Sequence, residues 1–385
     1  MNVLFISPHF PPQYVHFCTA LRAQGARVLG LGDLPVSRLA PELRAALHDY
    51  RFVHDLSDEA AAIEAVRGLV SANGAIQRIE SLNEHWLGLE ARLRDRFDVV
   101  GPRPEELGRW RSKSGMRALF RAAGIDCSEG EPARSVEAVR AFVARVGLPV
   151  VFKPDVGVGA ARTFRVDSSA ELEAVLQEPL DGFVVERFEP GRLTSYDGLV
   201  DRTGQVVFSL SHVYSAGVME IVREQRTPWY HSRRTMPPAL ESIGRKVIAA
   251  FGLTERFFHI EFFEHEGRFR ALEVNVRPPG GFTTDLMNWA CDLDVYRLWA
   301  RMLTGDDLAS FTHERPYHAA HVGRRRSVNY RFDPAVLREK LGVSLMDHRS
   351  LPPALARAMG DEIYFLREAD ETRLARAIEL VSAAS

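Results

Sequence analysis

The chain has 385 residues, of which 46% are apolar and 26% are charged. It is therefore long enough for two or three domains and too rich in core-forming residues to be disordered. Its 49 Lys and Arg residues nearly balance 51 Asp and Glu residues, giving a net charge of −2, which argues against a protein that coats nucleic acid or an anionic membrane.

Two further features of the sequence predict a cytoplasmic protein. Three cysteines, Cys18, Cys127 and Cys291, lie far apart, so neither a disulfide framework nor a thiolate zinc site is indicated. The apolar run after Met1 stops at Pro8 without a preceding basic residue, unlike a signal peptide. No stretch approaches the roughly 20 apolar residues that a membrane-spanning helix needs.

The first 110 residues alternate strand and helix patterns. An apolar run at residues 3–7 is followed by a helical pattern and then by a second strand pattern at residues 27–31. This order is typical of a parallel, Rossmann-like α/β sheet. The turn at residues 7–12 contains no glycine, so the sequence predicts no dinucleotide site there.

From about residue 148 the pattern changes to short strands with hairpin turns, separated by helical segments. This arrangement is typical of an α+β fold rather than of repeated βαβ units. After residue 310 a polar stretch, a helix and a final strand pattern predict a small carboxy-terminal α+β cap.

The most informative segment is a predicted β-hairpin with acidic residues on both strands. Because side chains alternate between the two faces of a strand, Glu273, Asn275 and Arg277 share one face, and Glu261 lies on the polar face of the other strand. A three-residue turn at residues 266–268 places Glu261 directly opposite Glu273, whereas a two-residue turn loses that pairing.

These polar residues predict a metal site. Two facing carboxylates repel each other and are costly to desolvate unless a cation lies between them. Mg²⁺ suits one or two carboxylates together with phosphate oxygens and water, so we predict Glu261, Glu273 and Asn275 as metal ligands. Arg277 adds a planar fork for an oxyanion, which indicates phosphate transfer. The alternative is an exposed hairpin face with ordinary solvated polar residues.

Two lysines are candidates for contacts with a phosphate donor. Lys153 ends an apolar strand and precedes the small-residue loop at residues 154–162, whose backbone N–H groups could cradle phosphate oxygens. An ordinary turn is the alternative for this Gly-x-Gly loop. Lys113 begins a predicted amphipathic helix, and a solvated lysine is the alternative there.

Together these motifs resemble the ATP-grasp superfamily, with carboxylate–amine ligases as the closest members and biotin carboxylase and carbamoyl-phosphate synthetase as more distant ones. The resemblance covers about residues 95–305 and rests on the order and spacing of Lys113, Lys153, residues 184–191, residues 196–198, Glu261 and residues 273–278. The family fold implies a pre-ATP-grasp α/β domain, a small lobe, a large lobe with the metal site, and a carboxy-terminal cap. The predicted bounds are 1–110, 111–185, 186–310 and 311–385.

The resemblance also implies the nucleotide contacts, and ATP with Mg²⁺, or Mn²⁺ as an alternative, as the cofactors. The implied contacts are Lys113, Lys153, Glu186, Arg187, Phe188 and Glu189. The lysines would hold the phosphates, and Glu189 would contact the ribose. Glu186 and the backbone of Arg187 and Phe188 would recognise adenine.

The activity implied by the resemblance is ATP-dependent amide synthesis from a small-molecule carboxylate and an amine. The carboxylate becomes an acyl phosphate, which Arg277 and Lys153 would stabilise as catalytic residues, and the amine then displaces phosphate. Two alternatives stay open, namely ATP-dependent carboxylation or phosphorylation of a small acceptor and a non-catalytic nucleotide-binding regulator. The resemblance also implies a homodimer.

The substrate contacts are the least defined part of the sequence. Glu80 and Glu84 follow a predicted strand in the first segment and are candidates for binding the amine, although a helix cap accounts equally well for Glu84. Arg223 and Arg233 belong to an arginine cluster that is a candidate for binding a carboxylate. Ordinary surface arginines are the alternative.

Overall fold

A computed structural model describes residues 1–157, 162–217, 221 and 227–385 of this protein. The strands in these residues form a four-stranded parallel sheet, a four-stranded antiparallel sheet and an eight-stranded antiparallel sheet. Val158 to Ala161 of the predicted phosphate loop and Arg223, a candidate substrate contact, lie outside the described residues.

The parallel sheet lies in the first segment, as the alternation of strand and helix patterns predicts. Its strands, in the order β3-β2-β1-β4, are β1 (Asn2–Ile6), β2 (Arg27–Gly32), β3 (Asp49–Phe52) and β4 (Arg78–Glu80). Its helices are α1 (Tyr14–Ala23), α2 (Pro41–Ala46), α3 (Glu59–Asn73) and α4 (Leu87–Arg96). Strand β1 is apolar over most of its length because it is the buried centre of this sheet.

The small sheet follows in the middle of the chain. Its strands, in the order β5-β8-β6-β7, are β5 (Gly130–Pro132), β6 (Val150–Pro154), β7 (Phe164–Val166) and β8 (Phe183–Arg187). The helices of this part are α5 (Gly108–Arg111), α6 (Lys113–Ala122), α7 (Val136–Val146) and α8 (Ser169–Val175). Phe142 of α7 packs against Phe152 of β6 in the core of this unit.

The large sheet has the strand order β13-β12-β9-β10-β11-β14-β16-β15. Its strands are β9 (Arg192–Val200), β10 (Val206–Tyr214), β11 (Trp229–Ser232), β12 (Arg256–His265), β13 (Arg268–Asn275), β14 (His318–Arg324), β15 (Leu345–Ser350) and β16 (Glu362–Glu368). Because β14 pairs with β11, the carboxy-terminal strands extend this sheet and form no separate one within the described chain.

The remaining described helices accompany the large sheet. They are α9 (Pro238–Phe251), α10 (Thr283–Cys291), α11 (Val295–Thr304), α12 (Pro334–Leu341), α13 (Pro353–Met359) and α14 (Glu371–Ser382). Short 3₁₀ helices lie at Val36–Arg38, Glu84–Trp86, Pro104–Glu106 and Gly342–Ser344. Across the part of the chain that the structure describes, every helix is too short or too polar to cross a lipid bilayer.

The two faces of the large sheet pack against different parts of the chain. The inner face includes Leu199 and Phe257, and it packs against the first segment, where the Phe17 and Phe257 ring centroids are 5.7 Å apart. The outer face includes Tyr196 and Phe258, which belong to the core formed with α6 and α9. The alternation of side chains along each strand separates these two cores.

The hairpin between β12 and β13 has the shorter of the two turns considered from the sequence. His265 pairs directly with Arg268, so the turn contains two residues, Glu266 and Gly267, with φ angles of 48° and 75°. Positive φ at both central positions is typical of a turn whose twist matches the flanking strands. The two-residue alternative is therefore the one observed.

The pairing expected from a three-residue turn is nevertheless present, because a β-bulge compensates. The register changes between the pairs Phe262 with Ala271 and Glu261 with Glu273. Leu272 is thus the extra residue of β13, as in a bulge that sets two residues against one. The bulge brings Glu261 opposite Glu273 despite the two-residue turn.

A buried histidine in the large sheet makes stability depend on pH. His321 of β14 is fully buried, with its ring stacked on Tyr230 at 4.8 Å and at a 72° angle to Phe365. Neither ring nitrogen has a hydrogen-bond partner among the described residues. Burial lowers the pKa of His321 from 6.5 to about 3, because the imidazolium form is not solvated there.

We expect this histidine to destabilise the fold in mild acid. Below its unfolded pKa of 6.5, only the unfolded chain binds the proton, so His321 lowers the free energy of unfolding by about 1.4 kcal/mol per pH unit until its folded pKa is reached. The His321→Phe variant keeps the ring and should lose this part of the dependence in urea unfolding between pH 7 and pH 5. His265→Phe, whose side chain is 60% exposed, is the control. An unchanged slope in His321→Phe would contradict the assignment.

Candidate active site

Two acidic residues face each other where β12 pairs with β13. Glu261 and Glu273 are direct partners in the antiparallel register, and their side chains are largely buried. The ammonium group of Lys113 lies 3.5 Å from Glu273 Oε1. Burial by itself raises the pKa of Glu261, but His259, Arg277 and Lys153 lower it below its ordinary value. Glu261 is therefore a carboxylate at neutral pH.

Lys113 is positioned by hydrogen bonds between the start of helix α6 and the phosphate loop. Ser112 caps the helix, and its hydroxyl donates to Asp155 at 2.9 Å. The backbone N–H of Ser114 donates to the same carboxylate at 2.7 Å. Lys113 itself donates to the carbonyl of Gly157 at 3.0 Å. Asp155, which the sequence analysis passed over, thus ties the first lysine to the loop that follows the second.

Lys153 and Glu186 form a buried charge cluster between two strands of the small sheet. Lys153 Nζ lies 3.0 Å from Glu186 Oε2, and Arg117 of α6 pairs with the other carboxylate oxygen. Burial alone raises the pKa of Glu186, but Lys153 and then Arg117 lower it. Each of the three residues is at most 9% exposed. Arg117 lies one helical turn after Lys113, a spacing that the sequence analysis did not use.

Two backbone N–H groups in the segment predicted to recognise adenine already donate hydrogen bonds within the protein. The N–H of Arg187 donates to the carbonyl of Glu129 at 2.9 Å, and the N–H of Phe188 donates to the carbonyl of Pro149 at 3.1 Å. The Arg165 guanidinium lies 4.0 Å from the centroid of the Phe188 ring. Recognition of the base through these two N–H groups would therefore require their present bonds to open.

Glu189, the predicted ribose contact, is buried with one free acceptor. Its Oε2 pairs with Arg270, whereas its Oε1 has no hydrogen-bond partner among the described residues. Burial raises the pKa of Glu189, and Arg270 opposes that effect. A free carboxylate oxygen at this position suits a hydroxyl donor such as a ribose.

Glu261 is the end of a chain of buried polar groups that contact one another. His259 Nε2 lies 3.2 Å from Glu261 Oε1, and His259 Nδ1 lies 2.5 Å from Asp197 Oδ1. Asp197 also contacts His212 Nδ1 at 2.7 Å and accepts from the Ser195 hydroxyl. Burial by itself lowers the pKa of His259, but Asp197 and Glu261 raise it to about 9. The imidazolium form of His259 thus bridges two carboxylates.

The sequence could not reveal this chain of contacts. Asp197 and His259 are 62 residues apart and meet only because β9 pairs with β12 in the register that sets them opposite each other. His259 is two residues before Glu261 and therefore shares its strand face, which was the available signal. Asp197 appeared there only as part of the family motif at residues 196–198.

Asn275 and Arg277 lie beside the carboxylate pair and contact each other. Arg277 donates through Nη2 to Asn275 Oδ1 at 3.3 Å and through Nη1 to the carbonyl of Pro278 at 2.8 Å. Its Nε lies 3.6 Å from Glu84 Oε2. Burial raises the pKa of Glu84, and Arg277 opposes that effect. Of the candidate substrate residues, Glu84 is therefore next to the predicted catalytic arginine.

The other candidate substrate residues lie elsewhere. Glu80 pairs with Arg94 at 3.1 Å in a buried cluster that includes Glu90, and burial raises the pKa of Glu80 to about 7. Arg233 pairs with Glu264 on the outer face of the large sheet, away from Glu261. Neither position supports a contact with the substrate of this site.

The acidic residues at this site fit a magnesium ion that is completed by other ligands. The described chain contains no group of three or more His, Cys, Asp or Glu side chains arranged to hold a metal ion. Mg²⁺, however, is commonly bound by one or two carboxylates together with phosphate oxygens and water. Glu261 and Glu273, with the amide oxygen of Asn275 nearby, match that kind of site.

Solved structures share this fold over nearly the whole chain. The L-amino acid ligase of Bacillus licheniformis superposes with a TM-score of 0.75 at 16% identity, covering 99% of this chain and 96% of the ligase. A biotin carboxylase–ATP complex from Campylobacter jejuni superposes with a TM-score of 0.67 at 14% identity, covering 99% and 90%. The protein therefore has the ATP-grasp fold, which confirms the predicted fold class.

Similarity in sequence is more limited. The Multifunctional protein pyr-3 of Neurospora crassa is 27% identical over 200 residues. This match covers 49% of the chain and only 11% of that protein, so the chain spans about a tenth of its length. No protein-family model matches the chain.

The buried carboxylate of Asp197 leads to a prediction about stability. Although burial alone raises its pKa, His259 and His212 lower it to about 2, so the charged form is stabilised in the folded state. Asp197→Asn leaves the imidazolium of His259 without this partner and should lower the free energy of unfolding by about 3–5 kcal/mol. Urea unfolding at pH 7 measures the change.

The control for this experiment is Asp181→Asn, because Asp181 is exposed. A surface substitution of this kind should change the free energy of unfolding by about 0.5 kcal/mol or less. If both variants unfold at the same urea concentration as the unmodified protein, Asp197 does not stabilise the charge chain.

Proposed function

We propose that this protein is an ATP-dependent ligase that joins a small-molecule carboxylate to an amine and releases ADP and phosphate. The observation that supports this function most directly is the facing pair Glu261 and Glu273, with Lys113 at 3.5 Å beside Arg277. Two such carboxylates are stable together when a divalent cation and a polyphosphate complete the site. The ATP-grasp fold agrees with this proposal.

In this proposal ATP binds between the small sheet and the large sheet. Lys113 and Lys153 hold its phosphates, because ammonium groups donate charge-assisted hydrogen bonds to phosphate oxygens. Glu186 and the backbone of Arg187 and Phe188 lie beside the adenine, and Glu189 accepts a bond from the ribose. The ATP complex of the similar biotin carboxylase supports nucleotide binding by this fold.

The proposed ligands for Mg²⁺, or for Mn²⁺ in its place, are Glu261, Glu273 and Asn275. The metal would supply neutralising charge for the ATP phosphates and help to align them. His259 and Asp197 act through Glu261, since the imidazolium keeps this carboxylate ionised and oriented. The bond from Arg277 to Asn275 orients the amide oxygen in the same way.

The proposed reaction then follows from the positions of the lysine and arginine side chains. The carboxylate substrate attacks the γ-phosphorus of ATP, and Lys113 and Lys153 neutralise the negative charge that develops on the transferred phosphoryl group. ADP leaves, and an acyl phosphate forms. Arg277 holds the acyl phosphate through its planar fork while the amine attacks the acyl carbon. Phosphate leaves, and an amide bond remains.

Glu84 is the candidate contact for the amine substrate. Its Oε2 has no hydrogen-bond partner among the described residues and lies 3.6 Å from Arg277 Nε. An amine bound by Glu84 would therefore be next to the acyl group that Arg277 holds. An amino acid is the candidate amine, because the similar Bacillus licheniformis protein is an L-amino acid ligase. A homodimer in the cytoplasm completes the proposal.

Two other functions would use the same nucleotide site. A carboxylase or a kinase-like phosphotransferase would act on a single small acceptor, and a regulator would bind ATP without turnover. The discriminating experiment incubates the protein with ATP, Mg²⁺, bicarbonate and mixtures of carboxylic acids and amino acids while the formation of ADP and of free phosphate is followed. A ligase releases phosphate only when a carboxylate and an amine are both present, and a carboxylase does so with bicarbonate and one acceptor. A kinase forms ADP with one acceptor but releases no free phosphate, and a regulator forms neither product.

The facing carboxylates provide a direct test of the metal site. Glu273→Gln keeps the shape of the side chain and removes one negative charge, so we expect metal-dependent turnover to fall by about a hundredfold or more while the fold is retained. Phosphate release at saturating ATP measures the loss, and thermal unfolding checks the fold.

The matched control is Glu266→Gln in the turn of the same hairpin. Its side chain is 85% exposed, so this substitution should leave turnover within about twofold of the unmodified rate. Unmodified turnover in Glu273→Gln would contradict the metal assignment.

A further inference from the structure

A second cleft opens on the outer face of the large sheet, on the opposite side from the candidate active site. Its volume is about 570 Å³. The charged residues that line this cleft include Arg192, Arg233, Arg234, Arg315, Glu264 and Glu371. They come from β9, from the segment between β11 and α9, from the segment before β14, from β12 and from the start of α14.

The cleft is separate from the nucleotide site because of strand geometry. Glu264 is two residues after Phe262, which packs in the core of the outer face. Glu261 is three residues before Glu264 on the same strand and therefore points to the inner face. The two sites share strand β12 but open on opposite sides of the sheet.

Two of the arginines are held in place by backbone carbonyl groups. Arg315 donates to the carbonyl of Ser209 through Nε at 3.1 Å and through Nη2 at 2.8 Å. Arg234 donates through Nε to the carbonyl of Arg315 at 3.2 Å and through Nη1 to that of Ala369 at 2.6 Å. A guanidinium has five N–H donors, so both groups are fixed in orientation and keep donors for a ligand.

The other two arginines share one carboxylate. Arg233 pairs with Glu264, and Arg192 lies 3.4 Å from the same oxygen of Glu264. The Arg233 side chain lines the cleft and is only 14% exposed, so it is largely shielded from bulk water. Two guanidinium groups on one carboxylate leave part of their charge uncompensated.

The charge balance of the cleft favours an anion. Four arginines and two glutamates among its lining residues leave two positive charges in excess. Guanidinium groups from separate elements, oriented by their own hydrogen bonds, are typical of sites that bind phosphate or carboxylate through paired N–H donors.

We propose that this cleft binds a small molecule with two negative charges, such as a phosphate monoester or a dicarboxylate. The ligand would bridge Arg233 and Arg234 with Arg315, and it would not contact the nucleotide site. This proposal goes beyond the ligase function and does not depend on it. It also gives Arg233, which the sequence analysis considered as a substrate contact, a different ligand on the opposite face of the sheet.

The test is calorimetric titration of the purified protein with inorganic phosphate and, separately, with malonate. We expect saturable binding of at least one of these probes. The probe that binds more tightly shows whether the ligand carries its two charges on one phosphate or on two carboxylates. The Arg233→Gln/Arg234→Gln double variant should weaken that binding about tenfold or more, because charge-assisted hydrogen bonds are lost. Lys153→Gln, in the nucleotide site, should leave it unchanged, as should Arg338→Gln on the exposed side of α12.

Three results would overturn the proposal. They are the absence of saturable binding of both probes, unchanged binding in the double variant, and binding that is lost in Lys153→Gln, which would assign the anion to the nucleotide site. Circular dichroism and thermal unfolding check that the double variant folds. If it does not, Arg234→Gln alone replaces it, since Arg234 is exposed, and the same loss of binding is then required.

Discussion

The repulsion between Glu261 and Glu273 is the constraint on which the rest of this site depends. The two carboxylates face each other across paired strands, and such an arrangement is unstable without positive charge close by. Lys113 approaches one carboxylate and the imidazolium of His259 approaches the other. Arg277 lies beside them. The chain therefore supplies part of the required positive charge, and a divalent cation would supply the rest.

The fold brings these charges together from distant parts of the chain. Lys113 begins a helix that precedes the small sheet, Lys153 ends a strand of that sheet, and the carboxylates belong to the large sheet. Asp155 connects the first two elements by bonding to the start of α6. The same large sheet presents an arginine-lined cleft on its outer face, so one layer of strands separates two charged sites of different character.

Several features could be predicted because they depend on local sequence. The alternation of side chains in β13 assigns Glu273 and Asn275 to one face, and the strand and helix patterns of the first segment indicate a parallel sheet, which is observed. From the sequence, the pairing of Glu261 with Glu273 was expected only if the turn contained three residues. The hairpin closes with two residues, and a bulge at Leu272 restores the register, a compensation that no local rule indicates.

By itself, the sequence determined the α/β and α+β patterns of the fold, the choice of Lys113 and Lys153 as candidate phosphate contacts, and the order of acidic residues along the hairpin. Periodicity and spacing are local properties, so these features can be read without the tertiary structure. The tertiary structure decided which charges meet. Asp197 reaches His259 only through the pairing of β9 with β12, and Arg117 meets Glu186 only because α6 packs beside the small sheet. Arg233 lies on the face away from the active site because it pairs with Glu264, which strand pleating directs to that face. Such contacts depend on register and packing between distant segments, which spacing along the chain does not encode.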